Sequence, residues 1–261
     1  MLIHGLVLSF ALTLAPTIAV PYIAQPAGPY CAVAAVAMVG RAAGLTLDFG
    51  TLVREVPVHR DGVSWLDLHL ALERRGAGLL VGRANHDEVA ALLATGHPVV
   101  VAVRSGAQAK HVWVVTAQTP TGYDVLDPAD ATRRTVTRAG LDAVWLGGEV
   151  VVAEVGRGRA TSPPWPALQA STRRYFAAEW ARRAVANGTL DTHTLALLDR
   201  AVAADTTLPE LHVGRARVLQ ALGRTDAARD AVATALRLRP EDAEARALAM
   251  SLGVVSPAGA H

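Results

Sequence analysis

Four side chains in this 261-residue sequence have types and spacing suited to chemistry: Gln25, Cys31, His111 and Asp127. Cys31 is the one cysteine, so it is neither half of an internal disulfide nor part of a paired-cysteine metal clasp. It follows a turn-forming run, Gln25-Pro-Ala-Gly-Pro-Tyr30, and opens an apolar, alanine-rich stretch to Met38 that is predicted to be a buried helix. A cysteine in the first turn of a helix feels the positive end of the macrodipole, which favours the nucleophilic thiolate. His111 opens the run His-Val-Trp-Val-Val-Thr, predicted to be a core strand. Asp127 follows on the next strand, in Tyr123-Asp-Val-Leu-Asp-Pro128. A base at a strand end facing a thiolate at a helix end is how cysteine hydrolases bring the pair into contact.

The elements that must position these residues are legible in outline. Ala32 to Ala43 reads as a helix stopped by Gly44. Ser64 to Arg75 reads as a second, capped by Ser64 and stopped by Gly76, and Asn85 to Thr95 as a third, closed by Gly96. Strands are expected at Pro98–Val103, His111–Ala117, Gly122–Leu126 and Glu149–Val155. Helices first and an antiparallel sheet after make an α+β layout over residues 20–155. The Gly-then-Pro segment 156–166 reads as a linker, and residues 167–261 as an all-α domain rich in Ala, Leu and Arg. Within that domain Leu211 to Pro240 reads as two helices joined at Leu222–Asp226. Ala216, Gly223, Ala228, Val232, Ala235 and Pro240 fall where a 34-residue tetratricopeptide repeat places its small residues, turn and closing proline. Thr194, Leu198 and Ala201 hold corresponding places one repeat earlier, and Glu241 to Leu252 reads as a capping helix.

Composition narrows the function. Half the residues are apolar, ample for a core. A net charge of +2, with no basic cluster interleaved with aromatics, argues against a nucleic-acid partner. No H-E-x-x-H, paired cysteines or acidic metal loop occurs, so no metal or other cofactor is expected. Residues 1–19 carry an uncharged apolar run, too short for the roughly 20 residues of a spanning helix. They suit a signal peptide or N-terminal anchor processed after Ala15 or Ala19, although Met1–His4 lacks Lys and Arg. Export to the periplasm or cell envelope is the expectation, a cytoplasmic location the alternative. Membrane contact is expected only through this segment, if uncleaved.

Val20–Gln25, the Cys31 helix, Gly96-His-Pro-Val-Val-Val-Ala, His111-Val-Trp-Val-Val and Val125-Leu-Asp-Pro128 together resemble the papain-like peptidases that process bacteriocin leaders. The similarity is greater to stand-alone bacterial forms with tetratricopeptide repeats, and it spans residues 20–155. The resemblance implies that Cys31 is the nucleophile, His111 the base, Asp127 the orienter of the imidazole, and Gln25 an oxyanion-hole donor beside the Cys31 N–H. It also shows a departure: the family usually has glycine after the nucleophile, where this chain has Ala32, preceded by bulky Tyr30. Rival assignments are His97 for the base and Asp124 for the orienter. His97 precedes Pro98 with no aspartate in register after it, and Asp124 lies three residues from Asp127, on the opposite strand face. Trp113 reads as a packed or cleft-lining aromatic.

The expected activity is hydrolysis of a peptide or amide bond, with the repeats binding a protein partner or presenting the substrate. A peptidase-like scaffold that binds peptides without cutting them is one alternative. A cell-wall peptide hydrolase or acyl transferase of related fold is another.

Overall fold

The alanine-rich run after Tyr30 forms α1 (Cys31–Ala42), with Ala32–Gly40 buried; Gly44, at φ +89°, ends it. A Cβ on Gly40 would lie 2.3 Å from Leu47 Cδ1, so this glycine lets the following segment close onto the helix. Next come α2 (Phe49–Glu55), capped by Asp48, and α3 (Trp65–Glu73), capped by Ser64, whose hydroxyl accepts from Leu66 N–H. A strand not foreseen in the sequence, β1 (Ala77–Arg83), precedes α4 (His86–Ala94). Asn85 and Glu88 form a reciprocal capping box at the start of α4. Then follow β2 (Val99–Ser105), β3 (Ala109–Gln118), β4 (Gly122–Leu126), β5 (Arg133–Thr137), α5 (Arg138–Asp142) and β6 (Trp145–Val155). The computed structural model describes residues 17–60, 62–105, 109–130, 132–155, 164–204 and 206–254.

The six strands form one sheet in the order β1-β6-β2-β3-β4-β5, and each pairing is antiparallel. The α+β layout therefore holds, with one correction: the helices do not all precede the sheet. β1 is inserted between α3 and α4 and pairs with the last strand, β6. Central β2 is buried throughout Val99–Val103, which explains its continuous apolar run. α1 packs on β2, β3 and β6, and α4 on β2 and β3. The β3–β4 register shifts between Val115 and Ala117, leaving Thr116 as the extra residue of a bulge. The Thr116 carbonyl accepts instead from Ile18 N–H at 2.9 Å, which ties the incoming chain to the sheet. Of the segment expected to be a signal peptide, residues 1–16 lie outside the described residues.

The chain divides into two compact units between Leu168 and Gln169. Within the first, Trp165 and Leu168, at the start of α6 (Trp165–Ala186), are buried in a cluster with Val99, Val101, Val150 and Val152. The expected linker thus ends inside a helix, and its residues 156–163 lie outside the described residues. The second unit continues with α7 (Thr192–Ala204), α8 (Pro209–Ala221), α9 (Thr225–Leu238) and α10 (Ala243–Ser251). Ala216, Ala228, Val232 and Ala235 are fully buried between helices, and Gly223 makes the α8–α9 turn at φ +73°. These are the places the repeat pattern assigned them.

Candidate active site

Cys31 is the first residue of α1, so its backbone N–H has no intrahelical acceptor. His111 is the third residue of β3, paired in register with Val103 of β2. Asp127 stands one residue beyond β4. Because Val114 pairs with Leu126, Asp127 falls opposite Trp113, two residues from His111 and on the same side of the strand. The turn that returns the chain to β5 is held by Asp130, whose Oδ1 accepts from both the N–H and the hydroxyl of Thr132.

His111 Nε2 and Asp127 Oδ1 are 2.6 Å apart, with side chains 13% and 8% exposed. Cys31 also acts on this imidazole, its thiol helping to raise the His111 pKa. With Nε2 taken by Asp127, Nδ1 is the ring nitrogen left to serve the thiol. Burial would depress the His111 pKa, but Asp127, through its hydrogen bond and charge, and Cys31 overcome it and raise the pKa to about 9. For Asp127, burial acts upward and is outweighed by the His111 hydrogen bond, the Ala129 N–H, and the charges of His111 and Arg134, which hold it at about 2.

The Asp127 carboxylate takes more donors than the sequence suggested. Oδ1 also accepts from Ala129 N–H at 2.9 Å, and Oδ2 accepts from Trp113 Nε1 at 2.8 Å and Arg134 Nη2 at 2.7 Å. The Arg134 guanidinium lies over the Trp113 ring, 4.6 Å from its centroid. Trp113 is therefore more than a packed aromatic, and Arg134 had no place in the sequence reading at all. Its signal was weak: it becomes visible only once Arg133–Thr137 is known to be a strand pairing Arg134 with Val125.

Gln25 reaches the site through its backbone, donating its N–H to Pro128 O at 2.8 Å. Tyr22 Oη lies 3.1 Å from the carbonyls of both Asp127 and Pro128, binding the same turn. The Gln25 side chain gives one Nε2 hydrogen to Gly28 O at 3.2 Å, leaving its second amide hydrogen, while Oε1 is buried with no partner. The rival residues are engaged elsewhere. His97 Nδ1 bonds Thr95 Oγ1 and its ring packs edge-on against Trp165, and Asp124 Oδ1 accepts from Thr135 Oγ1.

Among the described residues, no group of three or more His, Cys, Asp or Glu could hold a metal ion, and no helix is long and apolar enough to cross a membrane. The helical unit contains a hollow of about 260 Å³, lined by Arg182, Leu198, Glu210, Val213, Arg217 and Glu244 among others. Its charges are largely paired, Arg217 with Glu244 at 3.1 Å and Glu210 with Arg239 at 2.6 Å.

Comparison with known families matches residues 17–147 to the Peptidase_C39 like family and residues 193–251 to a tetratricopeptide repeat. Among solved structures, the chain is similar to a double glycine motif protease from an AMS/PCAT transporter in complex with the leader peptide. That likeness has 19% identity over 53% of this chain and 94% of the other, with a TM-score of 0.44. The peptidase domain of Streptococcus ComA, a bifunctional ABC transporter involved in a quorum sensing pathway, is 17% identical over 51% and 96%, TM-score 0.44. The N-terminal peptidase C39 like domain of the toxin secretion ATP-binding protein from Vibrio parahaemolyticus is 16% identical over 50% and 99%, TM-score 0.40. No curated protein matches the chain.

Proposed function

The chain belongs to the Peptidase_C39 like family, and from that footing we propose that it is a thiol-dependent peptidase cleaving a peptide or amide bond at Cys31. In this reading the Cys31 thiolate attacks the scissile carbonyl carbon and forms a tetrahedral oxyanion. The His111 imidazolium, held through Nε2 by Asp127, protonates the departing amine from Nδ1 and leaves an acyl-Cys31 thioester. Water then enters, His111 takes its proton, and the thioester breaks to release the acid and regenerate the thiolate. The oxyanion is met by the unpaired N–H of Cys31 and the uncommitted amide hydrogen of Gln25; losing one such donor typically costs about 10²–10³ in rate. Ala32 keeps the backbone N–H that glycine supplies in relatives, so the family departure leaves the chemistry intact.

The observation that carries the reading is an imidazole held by a buried carboxylate at 2.6 Å, whose pKa is raised by that carboxylate and by the chain's one thiol. Its test is the rate of iodoacetamide alkylation of Cys31 from pH 4 to 9 in the parent and in His111→Ala. Reactivity well below pH 7 in the parent, absent from the variant, is the expected result. A thiol that rises only near pH 8.5 in both, the behaviour of a free cysteine, would overturn the peptidase reading and leave a peptide-binding scaffold. The tetratricopeptide unit is proposed to recruit the protein that carries the scissile segment, since stacked helical pairs present an extended concave surface.

A further inference from the structure

We propose that Arg134 and Trp113 are positioning residues that clamp the far oxygen of Asp127, and that the Arg134 charge sets the alkaline limit of the pH range in which Cys31 and His111 form a reactive pair. This deepens the peptidase reading and rests on it. A carboxylate with one oxygen committed to His111 is still free to rotate unless the other is held. Here Oδ2 is held twice, by Trp113 Nε1 at 2.8 Å and Arg134 Nη2 at 2.7 Å. The two donors brace each other, because the guanidinium lies over the indole ring. They also come from both flanking strands, β3 and β5, so Asp127 is gripped across the sheet rather than by its own turn alone.

The charge has a second consequence. Asp127 faces the imidazole on one oxygen and the guanidinium on the other, so its negative charge is divided between two cations. Asp130 Oδ2, 3.5 Å from Arg134 Nη1, takes some of the guanidinium's charge, and Arg134 is 38% exposed. The charged or titratable groups placed against this cluster include Cys31, His111, Asp127, Asp130 and Arg134, with the Tyr22 hydroxyl on the Asp127 and Pro128 carbonyls. A cation sharing the Asp127 carboxylate draws on the charge that holds His111 protonated, and so disfavours the imidazolium. The alkaline limit of the reactive range, set by imidazolium loss, is therefore lower than it would be without it.

The experiment is the alkylation profile of Cys31 in the full chain, for the parent, His111→Ala, Arg134→Gln, Arg134→Lys and Trp113→Phe, each checked for folding by circular dichroism. Arg134→Gln is expected to move the alkaline limb upward by roughly 0.5–1 pH unit, the size of losing one charge several ångströms away in a partly solvated site. Its maximal rate is expected to fall by on the order of 10-fold as Asp127 gains freedom. Arg134→Lys keeps the charge but not the planar fork, so the profile returns to the parent's position while the rate stays reduced. Trp113→Phe keeps the ring under Arg134 but loses the donor, so it lowers the rate without moving the alkaline limb. An Arg134→Gln profile superimposable on the parent's, or reduced with no shift, overturns the proposal while the parent's low-pH reactivity leaves the peptidase reading standing. Should Arg134→Gln fail to fold, a Trp113→Phe rate equal to the parent's overturns the clamp. Ordinary thiol behaviour in parent and His111→Ala alike would remove the reading and the proposal together.

Discussion

Asp127 receives four donors, from His111, Ala129, Trp113 and Arg134, and each is directed at a lone pair of an ionised carboxylate. Asp127→Asn keeps the shape and one acceptor oxygen but turns an NH2 toward other donors. That mismatch in a site only 8% exposed is expected to cost about 2–4 kcal/mol of stability. The variant also removes the charge that helps hold His111 at about 9, so the alkaline limit of Cys31 reactivity is expected to fall toward the ordinary histidine value. The same shifts set a stability profile. His111 is raised in the fold, so its contribution is complete below its unfolded value of about 6.5 and disappears as pH rises toward its folded value of about 9. Asp127 is lowered, so its contribution is complete above about 3.9 and disappears as pH falls toward its folded value of about 2. Calorimetry of the peptidase unit is expected to show the pair's full stabilisation between about pH 4 and 6.5, with His111→Ala flattening the alkaline decline. A parent and variant with parallel alkaline declines would show that His111 gains nothing from its partners.

At the scale of elements, the site depends on the β4–β5 hairpin, and that hairpin depends on Gly122. Its backbone lies so close to β5 that a Cβ there would stand 1.9 Å from Val136 O, a contact with backbone that no rotamer change relieves. Gly122→Ala is therefore expected to force β4 and β5 apart, lowering stability by about 2–4 kcal/mol. Arg134 would be drawn away from Asp127, so the alkaline limit of Cys31 reactivity should shift upward as in Arg134→Gln. Unchanged thermal unfolding and an unchanged profile would show that β5 is dispensable to the site. This hairpin also marks where the sequence stopped being readable. Helices closed by Gly44, Gly76 and Gly96, and opened by Ser64 and Asn85, were legible because caps and stops are local chemistry. The strands around His111 and in Val99–Val103 were legible because burial on both faces makes them continuously apolar. β5 was not: Arg133-Arg-Thr-Val-Thr137 is a sheet edge with most side chains facing water, and its strand character comes from pairing with β4. β1 was hidden because Ala77-Gly-Leu-Leu follows directly on the stop of α3 and finds its partner about seventy residues later in β6. Cys31, His111 and Asp127 were thus singled out from the residues themselves, whereas the bonds of Trp113 and Arg134 to Asp127 arise only through cross-strand register.

At the scale of the whole molecule, sequence texture and packing divide the chain at different places. Composition changes at the Gly- and Pro-rich stretch beginning at residue 156, yet Trp165, near the end of that stretch, and Leu168, just after it, are 2% and 5% exposed and complete the core over β2 and β6. They are the first turn of α6, so a helix that the sequence assigned to the repeat domain starts by covering the peptidase sheet. A fragment ending at Val155 would leave that cluster open, including Val99, Val101, Val150 and Val152. A fragment of residues 17–155 is accordingly expected to be less stable than one of residues 17–168 by on the order of 5 kcal/mol or more, since losing one large aromatic from a core costs about 3–5 and one leucine about 2–5. Both retain Cys31, His111, Asp127, Trp113 and Arg134, so the longer fragment should reproduce the low-pH alkylation of the full chain while the shorter one loses it on mild warming. Chemical denaturation followed by Trp fluorescence, alongside the alkylation rate at pH 6, makes the comparison. Equal midpoints would place the boundary at the composition change. A longer fragment that folds but lacks low-pH reactivity would mean that the thiol–imidazole pair draws on residues after Leu168.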